Sequence, residues 1–159
     1  MTIMPNDDSS VKSADEAVPG LRRGPGYLLS RLGAESRARW TRMLAAYELT
    51  PHQFAILFAL AELGEAHQKR LAMLIGVDPR NAVVDFRRLD ERSLIAQHAD
   101  SADRRRRTVR LTSEGASLVT TLRHGGDRIE AEMFAPLEAA ELDALHALLL
   151  KLFTGDRTR

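Results

Sequence analysis

The stretch His67–Leu111, reading HQKRLAMLIGVDPRNAVVDFRRLDERSLIAQHADSADRRRRTVRL, leaves few options for a chain that carries it. It opens with a short helical pattern, about Gln68 to Ile75, with Leu71, Ala72, Leu74 and Ile75 inward. Gly76 follows where a left-handed residue would end that helix. Asp78-Pro79 then starts another: an oxygen able to cap the first free amides, and a proline whose φ is already helical. At roughly 100° per residue, Ala82, Val83, Phe86 and Leu89 fall on the inward face, and Arg80, Asn81, Val84, Arg87 and Arg88 on the opposite one. Leu94–Ala99 and Thr108–Leu111 are short enough to be strands, and Asp100-Ser-Ala-Asp103 between them is turn chemistry, so the pair reads as a hairpin.

Two short helices joined through a glycine and followed by a hairpin form the outline of a winged helix-turn-helix. Such a module sets one helix into the DNA major groove with a hairpin beside it. Net charge, +1, does not by itself point to nucleic acid. Its distribution does: between His67 and Arg110 eleven Lys and Arg face six Asp and Glu, while the remainder holds twelve against sixteen. A basic segment inside an otherwise acidic chain is the footprint of a local polyanion site. Arg80 has the geometry to bond guanine bidentately, Asn81 a base edge or a phosphate, and Val84 a thymine methyl. Arg87 and Arg88, further along, suit phosphates. Arg104, Arg105, Arg106 and Arg107 crowd four cations at the hairpin tip, a repulsive arrangement unless an anion neutralises it. A tip is narrow enough for the minor groove, whose negative potential attracts arginine. Asp103 would orient one of them. Taken singly, each of these charges is more often plain solvated surface, and a basic stretch for RNA or a targeting receptor is the alternative reading of the tip.

The flanks are different. Residues 1–26 are read as a mobile tail and linker, polar as far as Pro19 and then Gly20-Leu-Arg-Arg-Gly-Pro-Gly26. From about Tyr27 to Tyr47, Leu28, Leu32, Ser36, Trp40, Met43, Leu44 and Tyr47 recur at helical spacing. Thr50-Pro51 starts a further helix with Phe54, Leu57, Phe58 and Ala61 on one face, ending at Gly64. After Thr112 a helix runs from about Glu114 to Phe134, with a kink or break expected at Gly125-Gly126. A last helix after Pro136 spaces Leu142, Leu145, Leu149 and Leu152 as a packing seam. The expected division is 27–48 with 114–155 as a helical dimerisation region, and 49–113 as the DNA-binding region. A symmetric homodimer is the expected assembly, an intramolecular bundle the alternative.

Composition limits the chemistry. There is no cysteine, so disulfides, thiolate metal sites and cysteine redox sensing are excluded. The five histidines have no close metal-ligand spacing, and Gly-x-Ser-x-Gly is absent, so neither a metal, a cofactor nor an enzyme is expected. Apolar runs are too short to span a bilayer and no signal peptide precedes them, so the expected location is the cytoplasm, on the nucleoid of a bacterium.

The order of these elements, with Asp78-Pro79-Arg80-Asn81, Leu89-Asp-Glu-Arg-Ser-Leu-Ile95, Asp103-Arg-Arg105 and Leu111-Thr-Ser-Glu-Gly115, resembles the multiple antibiotic resistance regulator (MarR) family of bacterial transcription factors. The layout covers roughly residues 27–153, and its specific part is Leu89–Gly115. The resemblance implies a mainly α winged helix-turn-helix protein with a small β-hairpin wing and interlocked terminal helices. It implies a dimer on a pseudo-palindromic operator of double-stranded DNA, usually a repressor, often released by a small aromatic or phenolic acid. Asp103 and Arg105 match the family's wing pair, and Arg105 the minor-groove residue. An effector pocket is expected where Arg39, Trp40, Met43, Tyr47 and His52 gather in sequence, with Arg39 or Arg42 to pair a carboxylate and Phe54 read as core. Three departures stand out. Ser93 replaces the family's usual Gly, extra arginines let Arg104 or Arg106 share the wing role, and Gly125-Gly126 interrupts a helix the family keeps whole. The competing class is a winged helix that binds a ligand or a protein partner and does not read DNA.

Overall fold

The computed structural model describes residues 24–99 and 107–155. Its elements run α1 (Pro25–Ala46), α2 (Pro51–Leu63), β1 (Glu65–His67), α3 (Gln68–Leu74), α4 (Pro79–Glu91), β2 (Ile95–Ala99), β3 (Arg107–Leu111), α5 (Ser113–Phe134) and α6 (Ala139–Thr154). The chain divides into two units, residues 1–38 and 39–159, with the division inside α1. The first unit contributes the opening turns of α1, whose Leu28, Leu29 and Leu32 are exposed. That helix starts at Pro25, inside the expected linker, because proline is tolerated in a first turn that has no amide partner to lose.

The starts of the helices in the second unit are chemically explicit. The Thr50 hydroxyl accepts from the Gln53 amide at 3.2 Å, and the Gln53 side chain accepts the Thr50 amide at 3.1 Å, closing a capping box. Asp78 accepts from the Arg80 amide at 2.8 Å. The Thr112 hydroxyl accepts from the Gly115 amide and donates to the Ser93 carbonyl at 2.7 Å, tying the start of α5 to the end of α4. Hydrogen bonds from backbone N–H and from the Ser113 hydroxyl hold the exposed Glu114 carboxyl below its ordinary pKa, which suits a charge in a first helical turn.

Three of the helices end in one pattern. After α1 the Leu49 amide bonds the Leu44 carbonyl and Glu48 the Ala45 carbonyl; after α3, Val77 bonds Ala72 and Gly76 bonds Met73; after α4, Leu94 bonds Leu89 and Ser93 bonds Asp90. Each is a Schellman turn, and each places a residue at positive φ: Glu48 at 53°, Gly76 at 71° and Ser93 at 55°. Leu44 with Leu49, and Leu89 with Leu94, are buried pairs that close two of these turns.

α2 runs through the core and packs on α3, α4, α5 and the sheet. Being apolar on every side, it buries Ile56, Leu57 and Leu60 rather than the expected stripe: Phe54 and Phe58 are half-buried and Ala61 is exposed. The sheet has three strands in the order β1-β3-β2, all antiparallel, and β1 is an addition to the expected hairpin. Ala66 pairs in register with Val109, and Ile95 with Leu111; Ala66 and Val109 are buried on the strands that pack on α2, and Ile95 is buried on β2, which packs on α4. Three residues carry no readable strand period, and a crossing with β3 some forty positions away decides it. Two inward assignments are corrected. Leu74 and Val83 are both exposed, because α3 and α4 bury narrower stripes, Leu71–Ala72 and Ala82–Phe86–Leu89.

The expected break at Gly125-Gly126 does not occur; α5 is continuous. Both glycines are buried against the second half of α1. A Cβ on Gly125 would lie 2.5 Å from Met43 Sδ, and one on Gly126 2.7 Å from Trp40 Cη2. The pair is there for close helix packing, which here outweighs a helix-propensity loss of about 1 kcal/mol each. Met43 can swing aside; Trp40 is held by Phe54 with ring centroids 5.1 Å apart. Gly126→Ala is therefore expected to lower stability by about 1–3 kcal/mol while Gly125→Ala costs less, measured as urea midpoints. Equal midpoints for both variants would remove the Trp40 explanation. Ser93→Gly is expected to gain about 0.5 kcal/mol, because relief of the left-handed strain exceeds the added freedom of the unfolded chain. A lower midpoint would contradict that.

Candidate nucleic-acid interface and effector cleft

The rotation of α4 is set by Ala82, Phe86 and Leu89, all buried. This leaves Arg80, Asn81, Val84, Arg87 and Arg88 exposed together, as the spacing predicts, with Val83 beside them. Arg87 lies 3.7 Å from Glu91 one turn on, a solvated pair that loosely steers the guanidinium. Asp85, on the flank, accepts from the Gln53 side chain at 3.1 Å and lies 3.8 Å from His52 Nδ1. Gln53 is only 3% exposed, so its amide is spent entirely between the α2 cap and α4. At the far end of α4, the Arg92 guanidinium donates to the carbonyls of Tyr47 and Glu48, both at 2.9 Å. These are among the last carbonyls of the α1 turn, which lack helical partners. α4 is thus held at its middle and at its C-terminal end by polar contacts to the α1–α2 corner.

Beside α4, Gln68 donates to Gln97 at 2.6 Å and Gln97 to the Phe86 carbonyl at 3.5 Å, joining α3, β2 and α4. A cavity of about 720 Å³ opens at the edge of the sheet, lined by His67, Gln68, Lys69, Arg70, Met73, Leu74 and Arg107. Its three cations extend the basic surface from α3 to the base of the hairpin. Lys69 and Arg70 were visible in the sequence only as members of a charge count, and Arg107 as one of the four cations of the hairpin tip; β1, which seats α3 on β3, gives the three a common location. Of the expected wing residues, Asp103, Arg104, Arg105 and Arg106 lie outside the described residues.

A second cleft, of about 400 Å³, lies between the second half of α1 and α5. Arg39, Met43 and Tyr47 line it, with Arg42 and Ala46 from α1 and Gly125, Arg128, Ile129 and Glu132 from α5. Arg39 bonds Glu132 at 3.1 Å. Two expected members are elsewhere. Trp40 is turned onto Gly126 and Phe54, and His52 faces Asp85 across the corner. Residues on α1 point around the whole helix, so nearness in sequence grouped side chains that the helix separates. The α5 half of the lining had no sequence signal. Among the described residues no cluster of three His, Asp or Glu forms a metal site, and no helix is long and apolar enough to cross a membrane.

A helix pair, an outward charged helix and a sheet extended by a hairpin make this a winged helix protein. Residues 49–106 match the model of the MarR family. The chain is 31% identical to a probable transcriptional regulator from Pseudomonas aeruginosa of known structure, over 83% of this chain and 98% of that one, with a TM-score of 0.69. It is equally 31% identical to Bordetella bronchiseptica BpsR, whose DNA binding is regulated by 6-hydroxynicotinic acid, over 80% and 96% of the two chains with a TM-score of 0.67. Transcriptional regulator HosA of Escherichia coli O127:H6 is 29% identical over 132 residues, 83% of this chain and 96% of that protein. The chain belongs to the MarR family of transcriptional regulators.

Arg92→Ala is expected to lower stability by about 1 kcal/mol, a charge-assisted pair of bonds discounted for exposure. Arg92→Lys should recover only part of it, because one ammonium does not reproduce a planar fork over two carbonyls. Full recovery by lysine in chemical denaturation would show that charge alone is at work.

Proposed function

We propose that this regulator is a homodimeric repressor that reads a pseudo-palindromic operator and is released by a small aromatic acid. The observation that carries the reading is the outer face of α4, where Arg80, Asn81, Val84, Arg87 and Arg88 are exposed together while the helix is anchored from behind. In this reading residues 49–113 bind DNA: Arg80, Asn81 and Val84 meet base edges, and Arg87 and Arg88 phosphates. Asp103 orients Arg105 in the flanking minor groove, with Arg104 and Arg106 beside it. Lys69, Arg70 and Arg107 hold the intervening backbone. The protein works in the cytoplasm, on the nucleoid.

Residues 27–48 and 114–155 supply the dimer in this reading. α6 buries no residue and exposes Leu148, Leu150, Leu152 and, at 81%, Phe153, an apolar surface that a second copy would cover. Two such lobes present their α4 helices about one helical turn of DNA apart, roughly 10 bp. The effector reading rests on the cleft between α1 and α5. Arg39, Arg42 and Arg128 line it together with Met43 and Ile129, so it offers a carboxylate cations and a ring apolar wall. BpsR responds to an acid of this kind.

The test is fluorescence anisotropy of the full chain on duplexes from upstream of its own gene. Affinity should fall steeply with salt, two chains should bind per duplex, and 6-hydroxynicotinate or another small aromatic carboxylate should release them. Arg105→Ala should weaken operator binding by about 1–3 kcal/mol with circular dichroism unchanged. Binding that is flat in salt would overturn the DNA reading, and an unchanged affinity for the variant would overturn the role of Arg105.

A further inference from the structure

Val83 and Val84 are the exposed large hydrophobic side chains of α4, at 56% and 43% exposure. Their neighbours there are Arg80, Asn81, Arg87 and Arg88. Two consecutive valines gain nothing from a purely solvated helix: valine is a poor helix former, and its isopropyl group neither donates nor accepts a hydrogen bond. The core does not account for them, since Ala82, Phe86 and Leu89 complete the buried stripe. They lie five and six residues beyond the cap at Asp78, in the half of α4 nearest its N-terminus, the end that enters a groove.

The major groove offers one apolar recognition feature, the C5 methyl of thymine. We propose that Val83 and Val84 form a paired reader of thymine methyl groups in each operator half-site, an assignment that rests on the DNA-reading role proposed for α4. Consecutive residues on a helix diverge by roughly 100° and advance about 1.5 Å, so the two valines meet different base pairs rather than one methyl. Both are β-branched and stiff at χ1, so contact immobilises little. Arg80 and Arg87 supply attraction, while the valines discriminate without adding charge. Cytosine presents only a ring C–H where thymine carries its methyl, so the pair selects against it by lost contact.

The experiment begins with duplexes recovered from a random-sequence pool by the full-length protein. The tightest is resynthesised with deoxyuridine replacing thymidine one position at a time, which removes a methyl and leaves the base pair intact. The wild-type protein should lose about fourfold in affinity at one or two positions of each half-site, the worth of one buried methyl. In the Val83→Ala Val84→Ala double variant those positions should no longer distinguish thymidine from deoxyuridine, while the salt slope is kept. Val83→Ser and Val84→Ser, which keep no methyl group, repeat the comparison if the double variant does not fold, each read at the positions that its own valine contacts. Indifference to deoxyuridine at every position would overturn the proposal, as would sensitivity that survives in the variants. A pool yielding no salt-sensitive binder would instead remove the DNA reading beneath it.

Discussion

One guanidinium ties the C-terminal end of α4 to the corner after α1. Arg92 ends that helix and bonds the carbonyls of Tyr47 and Glu48, closing the α1 turn with donors from the helix it must position. Tyr47 also lines the cleft between α1 and α5. The same side chain therefore joins the wall of a pocket to the end of the helix that carries the exposed basic face. A fork of two bonds fixes direction as well as distance, which a single hydrogen bond does not.

Around this contact the chain repeats one economical device. The Schellman turns after α1 and α4 are each closed by a buried leucine pair, so the turn cannot open without exposing apolar surface. The second turn tolerates a strained Ser93 because its surroundings over-determine it: Leu94 is buried, and the Ser93 carbonyl accepts from Thr112 at the start of α5. Gln53 plays a similar part at the middle of α4, through Asp85. Nearly fully buried, it is stable there because its amide is satisfied twice, by the Thr50 amide and by Asp85.

Much of this was legible in the residues. Capping oxygens followed by proline marked the starts of α2 and α4 to the residue, and the periodicity of Ala82, Phe86 and Leu89 oriented α4 correctly apart from Val83. The failures share a cause. β1 is a strand only because β3 lies beside it. Leu74 and Val83 are apolar side chains that the spacing counts as core, whereas burial depends on how wide a stripe the neighbouring helices cover. Gly125 and Gly126 read as a break because local propensity does not know that Met43 and Trp40 approach from another helix. The cleft was half visible, since Arg39, Met43 and Tyr47 share a stretch of sequence while Arg128, Ile129 and Glu132 come from the far end of the chain.

The basic segment His67–Arg110 and its helix–glycine–helix–hairpin order were determined by sequence alone, because caps, turns and periodicity are local chemistry. That order was enough to suggest the winged helix and the family. What tertiary structure decided was which charges share a surface. Lys69 and Arg70 meet Arg107 only because β1 pairs with β3, and α4 presents its arginines outward because Ala82, Phe86 and Leu89 are buried beneath it, with Arg92 and Asp85 adding polar ties to the α1–α2 corner. Hydrogen bonds between residues more than thirty positions apart have no periodic trace in a sequence, since nothing local is gained until the chain has closed upon itself.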